Sequence, residues 1–140
     1  MNQPRPRESI IVGIDGSVAA VHAAKWAVSE AASREIPLRL IQVIPERPEK
    51  TPPDDINLDR QFAETTLRAA TAALHTVEVP VKVETAILQG TSDDVLIDES
   101  RHAAMICVGS VGIDRAARKL LGSTTDAVAH KAHCPVAVLR

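Results

Sequence analysis

Five short runs of β-branched and aliphatic residues recur along the chain, and each gap between them carries helical periodicity or a loop signal. The runs are 9–14 (SIIVGI), 38–44 (LRLIQVI), 79–88, 104–108 (AMICV) and 135–139 (PVAVL). Between the first two, Ala20, Ala24, Val28 and Ala31 recur at helical spacing behind Ser17, which suits an N-cap. A second helix is predicted from about Asn57 to His75, with Phe62, Leu67, Ala70 and Leu74 as its buried stripe. Thr91 or Ser92 caps a short third helix reaching about Ser100, and a fourth runs from Ser123 to about Ala132. Strands joined through helices must lie parallel, with helices on both faces. The fold predicted is therefore α/β: a five-stranded parallel doubly wound sheet, of order 3-2-1-4-5 if the chain winds from strand 1 outward through 2 and 3 and then crosses to 4 and 5.

Run 104–108 is continuously apolar, as a central parallel strand should be, whereas 79–88 alternates Val79, Val81, Val83, Thr85 and Ile87 with more polar neighbours. That alternation places the third strand near a sheet edge. Residues 45–55 (PERPEKTPPDD) hold four prolines and six charges, so a Pro-rich exposed loop is expected over 45–56. Residues 1–8 are read as a flexible N-terminus, and 1–140 as a single domain. A chain of 140 residues buries roughly two-thirds of its surface on folding, enough for a core without metal or disulfide staples.

Composition excludes several function classes. Sixteen Lys and Arg against eighteen Asp and Glu give a net charge of −2, which supplies no excess of cations to displace counterions from nucleic-acid phosphates. Trp26 and Phe62 are the only aromatic residues, too few for base-stacking platforms. No run approaches the roughly 18 apolar residues of a membrane span, and the N-terminus does not resemble a signal peptide. Cys107, in an apolar run, and Cys134, before a proline, read as reduced thiols in a cytoplasmic protein. They flank opposite ends of neighbouring parallel strands, beyond the roughly 7 Å that a disulfide spans between α-carbons. His130 and His133 lack Cys or carboxylate partners and read as helix surface, Trp26 as packing or interface, and Asp93 and Asp94 as charges complementing a helix dipole.

In such sheets a ligand sits beyond the carboxyl ends of the strands, where strand order reverses. With order 3-2-1-4-5 the reversal falls between strands 1 and 4, beside the two glycine-bearing exits (Gly13, Asp15, Gly16; Gly109, Gly112). Glycines admit close backbone approach, and the amides opening the fourth helix at Gly122-Ser123 favour an anion. The hydroxyls of Ser123 and Thr124 can donate to phosphate oxygens, and Arg115, Arg118 and Lys119 lie between the glycines. Asp15 suits two roles, closing its Asp-Gly turn or meeting a ligand. No general base, activated nucleophile or HxGH motif stands out.

The pattern G-x2-G-x9-G-[ST] at Gly109, Gly112, Gly122 and Ser123 resembles the ATP-binding signature of the universal stress protein family. The opening IIVGIDGS (10–17) and the ending HCPVAVLR (133–140) resemble the same family, so the likeness covers essentially the whole chain. It looks closest to the N-terminal halves of tandem two-domain actinobacterial members. The resemblance implies an ATP site, with Mg2+ approached indirectly by Asp15 near the ribose and metal-phosphate region. It further implies that the Val43 backbone reads the adenine edge, that Gly109 and Gly112 surround ribose and phosphates, and that Gly122, Ser123 and Thr124 hold phosphate. Many nucleotide-binding members carry Val-Ser where this chain has Thr124-Thr125. The family also implies dimers through the last strand, so strand 135–139 is expected to pair with a second copy or with a tandem second domain. The function expected is a nucleotide-responsive regulatory role in stress adaptation; the alternatives are a non-nucleotide interaction module and a slow ATPase.

Overall fold

The computed structural model describes residues 9–110 and 122–139. Strands β1 (Ser9–Gly13), β2 (Leu38–Ile44), β3 (Val83–Gln89), β4 (Ala103–Gly109) and β5 (Val136–Leu139) alternate with helices α1 (Val18–Arg34), α2 (Pro53–Leu74), α3 (Ser92–Glu99) and α4 (Ser123–Lys131). All four strand pairs are parallel and the order is β3-β2-β1-β4-β5, as the sequence predicts.

The alternation of side chains across the sheet divides the core into two layers. Ile10, Val12, Leu38, Leu40 and Cys107 pack under α1 and α2, while Ile11, Ile41, Ile106 and Val108 pack under α3 and α4. Helix α1 meets the sheet almost wholly through alanines, with Ala20, Ala23, Ala24, Ala27 and Ala31 buried, so it lies close to the strands. Ser17 caps it by accepting the Ala20 N–H at 3.1 Å. At its other end Glu35 adopts a left-handed conformation, φ 58°, and its N–H closes the last turn on Ala31 and Ala32. Between α3 and β4 the buried Ser100 hydroxyl donates to the Ile97 carbonyl and accepts the His133 N–H, tying the turn before β5 to that connection. Arg39 on β2 reaches Glu99 at the end of α3 at 2.5 Å.

Three local expectations are corrected. Helix α2 starts at Pro53, not near Asn57, so the Pro-rich loop covers 45–52 and its last prolines belong to the helix start. Proline is excluded from helix interiors but suits the first position, where its missing N–H has no acceptor to lose, and Asp54 and Asp55 complement the dipole there. Second, the buried stripe of α2 is Ala63, Leu67, Ala70 and Leu74, whereas Phe62 is 56% exposed. Phe62 stands five residues before Leu67, outside the three-to-four spacing of one helix face. Third, β3 starts at Val83, and 79–82 lie outside the ladder. Val79 and Val81 bond back to the carbonyls of Val77 and Val79, yet all three valines pack against the core. Alternation there reports burial, not strand pairing.

Candidate functional site

Strand β1 ends at Gly13 and β4 at Gly109, and between their exits lies an open cleft of about 200 Å³. Its walls come from five segments. The β1–α1 loop supplies Asp15 and Ser17, β2 supplies Ile41 and Val43, and β4 supplies Val108 and Gly109. Helix α3 contributes Ser92 and Leu96, and the start of α4 contributes Gly122, Ser123, Thr124 and Thr125. The site residues read from sequence, Asp15, Val43, Gly109, Gly122, Ser123 and Thr124, thus share one cleft at the point where strand order reverses. Gly112 lies outside the described residues, as do Arg115, Arg118 and Lys119.

Local chemistry positions each wall. Asp15 Oδ1 accepts the Ser17 N–H at 2.9 Å, an Asx turn that swings the chain from β1 into α1, and Gly16 beside it has φ +88°. Asp15 therefore closes its turn and also lines the cleft. Gly13 lets α3 close down, because a Cβ there would lie 2.9 Å from Leu96 Cδ1. Gly109 does the same for α1, with a hypothetical Cβ 2.5 Å from the Ala19 carbonyl oxygen. Glycine at 109 is thus demanded by helix-to-strand packing, independently of any ligand.

Helix α4 opens with Gly122 as its N-cap residue, which offers no side chain to cap with. Ser123 is the first helical residue, so its hydroxyl is not the cap. The first amides of a helix have no intrahelical acceptor, and here they open beside the cleft with the adjacent hydroxyls. Thr125 differs from Thr124: it is buried, and its hydroxyl donates to the Gly109 carbonyl at 3.0 Å. That bond fastens the α4 start to the β4 exit. Among the described lining residues Asp15 is the one formal charge, and Ile41, Val43, Leu96 and Val108 form an apolar floor. Such a site combines apolar side chains with backbone donors.

Sequence reasoning missed Ser92 and Leu96 as cleft residues. The cap signal at Thr91-Ser92 marks where α3 starts, and Thr91 accepts the Asp94 N–H as the cap, but it does not tell which way the helix leans. Asp93 and Asp94 sit in the first turn of α3, and hydrogen bonds from the Thr91 hydroxyl and the Asp94 amide hold the Asp93 carboxyl below its ordinary range. The two cysteines are free. Burial pushes the Cys107 thiol up to about 12 and raises Cys134 as well, so neither presents a thiolate at neutral pH. Among the described residues no helix is long and apolar enough to cross a membrane.

Comparison with known proteins agrees with this architecture. Residues 6–140 match the Universal stress protein family. The universal stress protein Rv2624c of Mycobacterium tuberculosis is 53% identical over 133 residues, covering 95% of this chain and 48% of that protein. The chain therefore spans about half the length of the curated relatives it matches. Among solved structures, a universal stress protein in complex with cAMP superposes with a TM-score of 0.79 at 23% identity, over 95% of this chain and 97% of that one. The universal stress protein from Archaeoglobus fulgidus in complex with dAMP gives 0.71 at 24% identity, over 95% and 98%. A family match over residues 6–140, nearly the full length, establishes that the chain belongs to the universal stress protein family.

Proposed function

We propose that the cleft binds an adenine nucleotide, ATP with Mg2+, and that occupancy serves a regulatory role in stress adaptation. The observation that carries this reading is the convergence of Asp15, Val43, Gly109, Gly122, Ser123 and Thr124 on one cleft. The donor set fits such a ligand. The apolar floor suits a purine ring, with Val43 at the end that would read the adenine edge. The α4 amides and the Ser123 and Thr124 hydroxyls suit phosphate oxygens. At about 200 Å³ the cleft is smaller than the roughly 300–1,000 Å³ that encloses a drug-sized ligand, so the phosphates would lie at its open mouth. Two relatives of this fold are solved with cAMP and dAMP, which supports the adenine class. Gly112 belongs to the same proposed phosphate loop. Mg2+ would arrive with the nucleotide, with Asp15 on the metal-phosphate side.

The test is native mass spectrometry of the purified protein followed by calorimetric titration with Mg-ATP. A saturable isotherm, weakened about tenfold or more in the Ser123→Ala/Thr124→Val double variant, is the expected result, since hydrogen bonds to charged groups contribute about 1.5–3 kcal/mol each. No binding of ATP, AMP or cAMP would overturn the reading. A slow ATPase would need Asp15, the one charged group of the described lining, to act on water; turnover unchanged in Asp15→Asn removes that alternative.

Strand β5 favours a second, compatible reading. It is a sheet edge, and Val138 on it is 36% exposed, so it can pair with a second copy or with a tandem second domain. Sedimentation of the wild type against Val138→Lys distinguishes an assembling edge from an idle one. Free thiols and an ATP ligand both suit the cytoplasm as the place of action.

A further inference from the structure

The opposite sheet edge is longer. Strand β3 runs for seven residues against four in β5, with Glu84 its only charged residue and no proline. The bonds at the two ends of its ladder, Leu38 N–H to the Lys82 carbonyl and Gly90 N–H to the Ile44 carbonyl, set its phase. Glu84, Ala86 and Leu88 turn their amides towards β2, so Val83, Thr85, Ile87 and Gln89 turn theirs outwards. Natural edges are ordinarily blunted by proline, lysine or bulges. This one is not.

A groove runs along that edge, floored by Val83, Thr85 and Ile87 and walled by Arg60, Glu64 and Arg68 of α2. These three charged residues recur every fourth position, so they form one row on the helix. All three are exposed, and none takes part in the ion pairs formed among the described residues. From Arg60 to Arg68 the helix rises about 12 Å. An extended chain covers about 13 Å in four residues and returns its side chain to the same face every second residue. The row of plus, minus, plus therefore matches a strand reading acidic, basic, acidic at alternate positions.

We propose that the outer edge of β3, with the Arg60–Glu64–Arg68 row beside it, is a docking groove for an extended segment of a partner protein with acidic, basic and acidic side chains at every second position. Main-chain hydrogen bonds to Val83, Thr85 and Ile87 hold the segment, and the charged row sets its register. Because the pattern is palindromic, it accepts the segment in either direction.

The probe is a fluorescein-labelled nine-residue peptide with glutamate at its third and seventh positions, lysine at the fifth, and valine or threonine elsewhere. Its charge-swapped twin carries lysine, glutamate and lysine at those places. Fluorescence anisotropy against the intact chain is expected to show the first peptide binding at least about tenfold more tightly than the twin. The preference should invert in the Arg60→Glu/Glu64→Lys/Arg68→Glu variant, an outcome that misfolding cannot produce. Thr85→Pro, which removes an outward amide without breaking a bond to β2, should abolish binding of both peptides while circular dichroism stays native. Equal binding of the two peptides, failure of the preference to invert, or an edge that dimerises the chain and is blocked by Thr85→Pro would each overturn the proposal.

Discussion

Replacing Gly109 by alanine tests whether that glycine serves packing before it serves a ligand. The added Cβ would stand 2.5 Å from the Ala19 oxygen and 2.6 Å from its carbonyl carbon, where ordinary contact begins at 3.4 Å. Both are backbone atoms in the first turn of α1, so no rotamer relieves the clash and that turn must withdraw by about 1 Å. It cannot do so freely, because Ala20, Ala23 and Ala24 immediately behind are buried against the sheet. Overpacking of this kind costs about 1–3 kcal/mol, and a rigid backbone neighbour puts Gly109→Ala near about 3 kcal/mol. With an unfolding entropy of about 2.1 cal/mol/K per residue, that is a fall of about 10 °C in Tm. Urea unfolding followed by Trp26 fluorescence, the chain's single tryptophan and a residue of α1 itself, reads the change. The same withdrawal displaces Ser17 and Asp15 from the cleft wall, so nucleotide affinity should fall too, although nothing at position 109 need touch the ligand. Gly122→Ala is the contrast. Its φ of −63° and ψ of 156° suit any residue, so a loss of binding there with stability intact points to close approach of the ligand. A Gly109→Ala protein as stable as wild type would refute the packing argument.

Other outcomes follow from single contacts. Iodoacetamide at pH 8 should label native protein slowly, and at Cys134 before Cys107, read by peptide mass spectrometry, because both thiols are raised but Cys134 is half-buried whereas Cys107 is fully buried and pushed up to about 12. The sign of its linkage follows: from its ordinary value near 9 up to about 12 the unfolded chain has lost a proton that the folded chain keeps, so stability falls with rising pH by as much as about 1.4 kcal/mol per pH unit, a slope that Cys107→Ala should reduce. Glu35→Gly, at a left-handed residue closing α1, should stabilise by about 1 kcal/mol, seen as a rise of about 3 °C in Tm. Arg47 donates through Nε and Nη2 to both carboxylate oxygens of Asp59, at 2.7 and 2.8 Å, pinning the 45–52 loop to α2. Asp59→Asn should speed tryptic cleavage after Lys50 several-fold; an unchanged rate would show the pair does not hold the loop.

Signals carried by neighbours in sequence were legible. Ser17 caps α1 and Thr91 caps α3 because capping is decided within four residues. The strand runs 9–14, 38–44 and 104–108 supply buried residues to both faces of the sheet, and their aliphatic composition marks them. The cleft lies where strand order reverses because topology, once the helices force parallel strands, leaves few places for loops to meet. What failed depends on contacts distant in sequence. Phe62 carries the strongest apolar signal in α2, yet its ring lies over Gly16, 3.5 Å from where a Cβ would be, instead of in the core. The valines at 77, 79 and 81 alternate like a strand because they cover the core edge, although Pro80 has no amide for a ladder. Ser92 and Leu96 join the cleft only because Gly13 lets α3 approach β1, a closeness that no local pattern announces.

The same closeness bears on how a bound ligand would be felt elsewhere. Gly109 touches Ala19 of α1 on one side and accepts from Thr125 of α4 on the other, so these three segments around the cleft are fastened to each other. The Asp15-Gly16 loop is lined on its outer side by Phe62 and Thr66 of α2, and Thr66 bonds in turn to the buried Gln42 of β2, one residue before Val43. Packed walls of this kind do not deform smoothly. A ligand pressing on Asp15 therefore acts within one residue on the side of the loop that Phe62 covers, and Phe62 is itself half-exposed on the outside of the domain. Under the nucleotide-binding reading, the route from an occupied cleft to a surface that a partner can read is two side chains long.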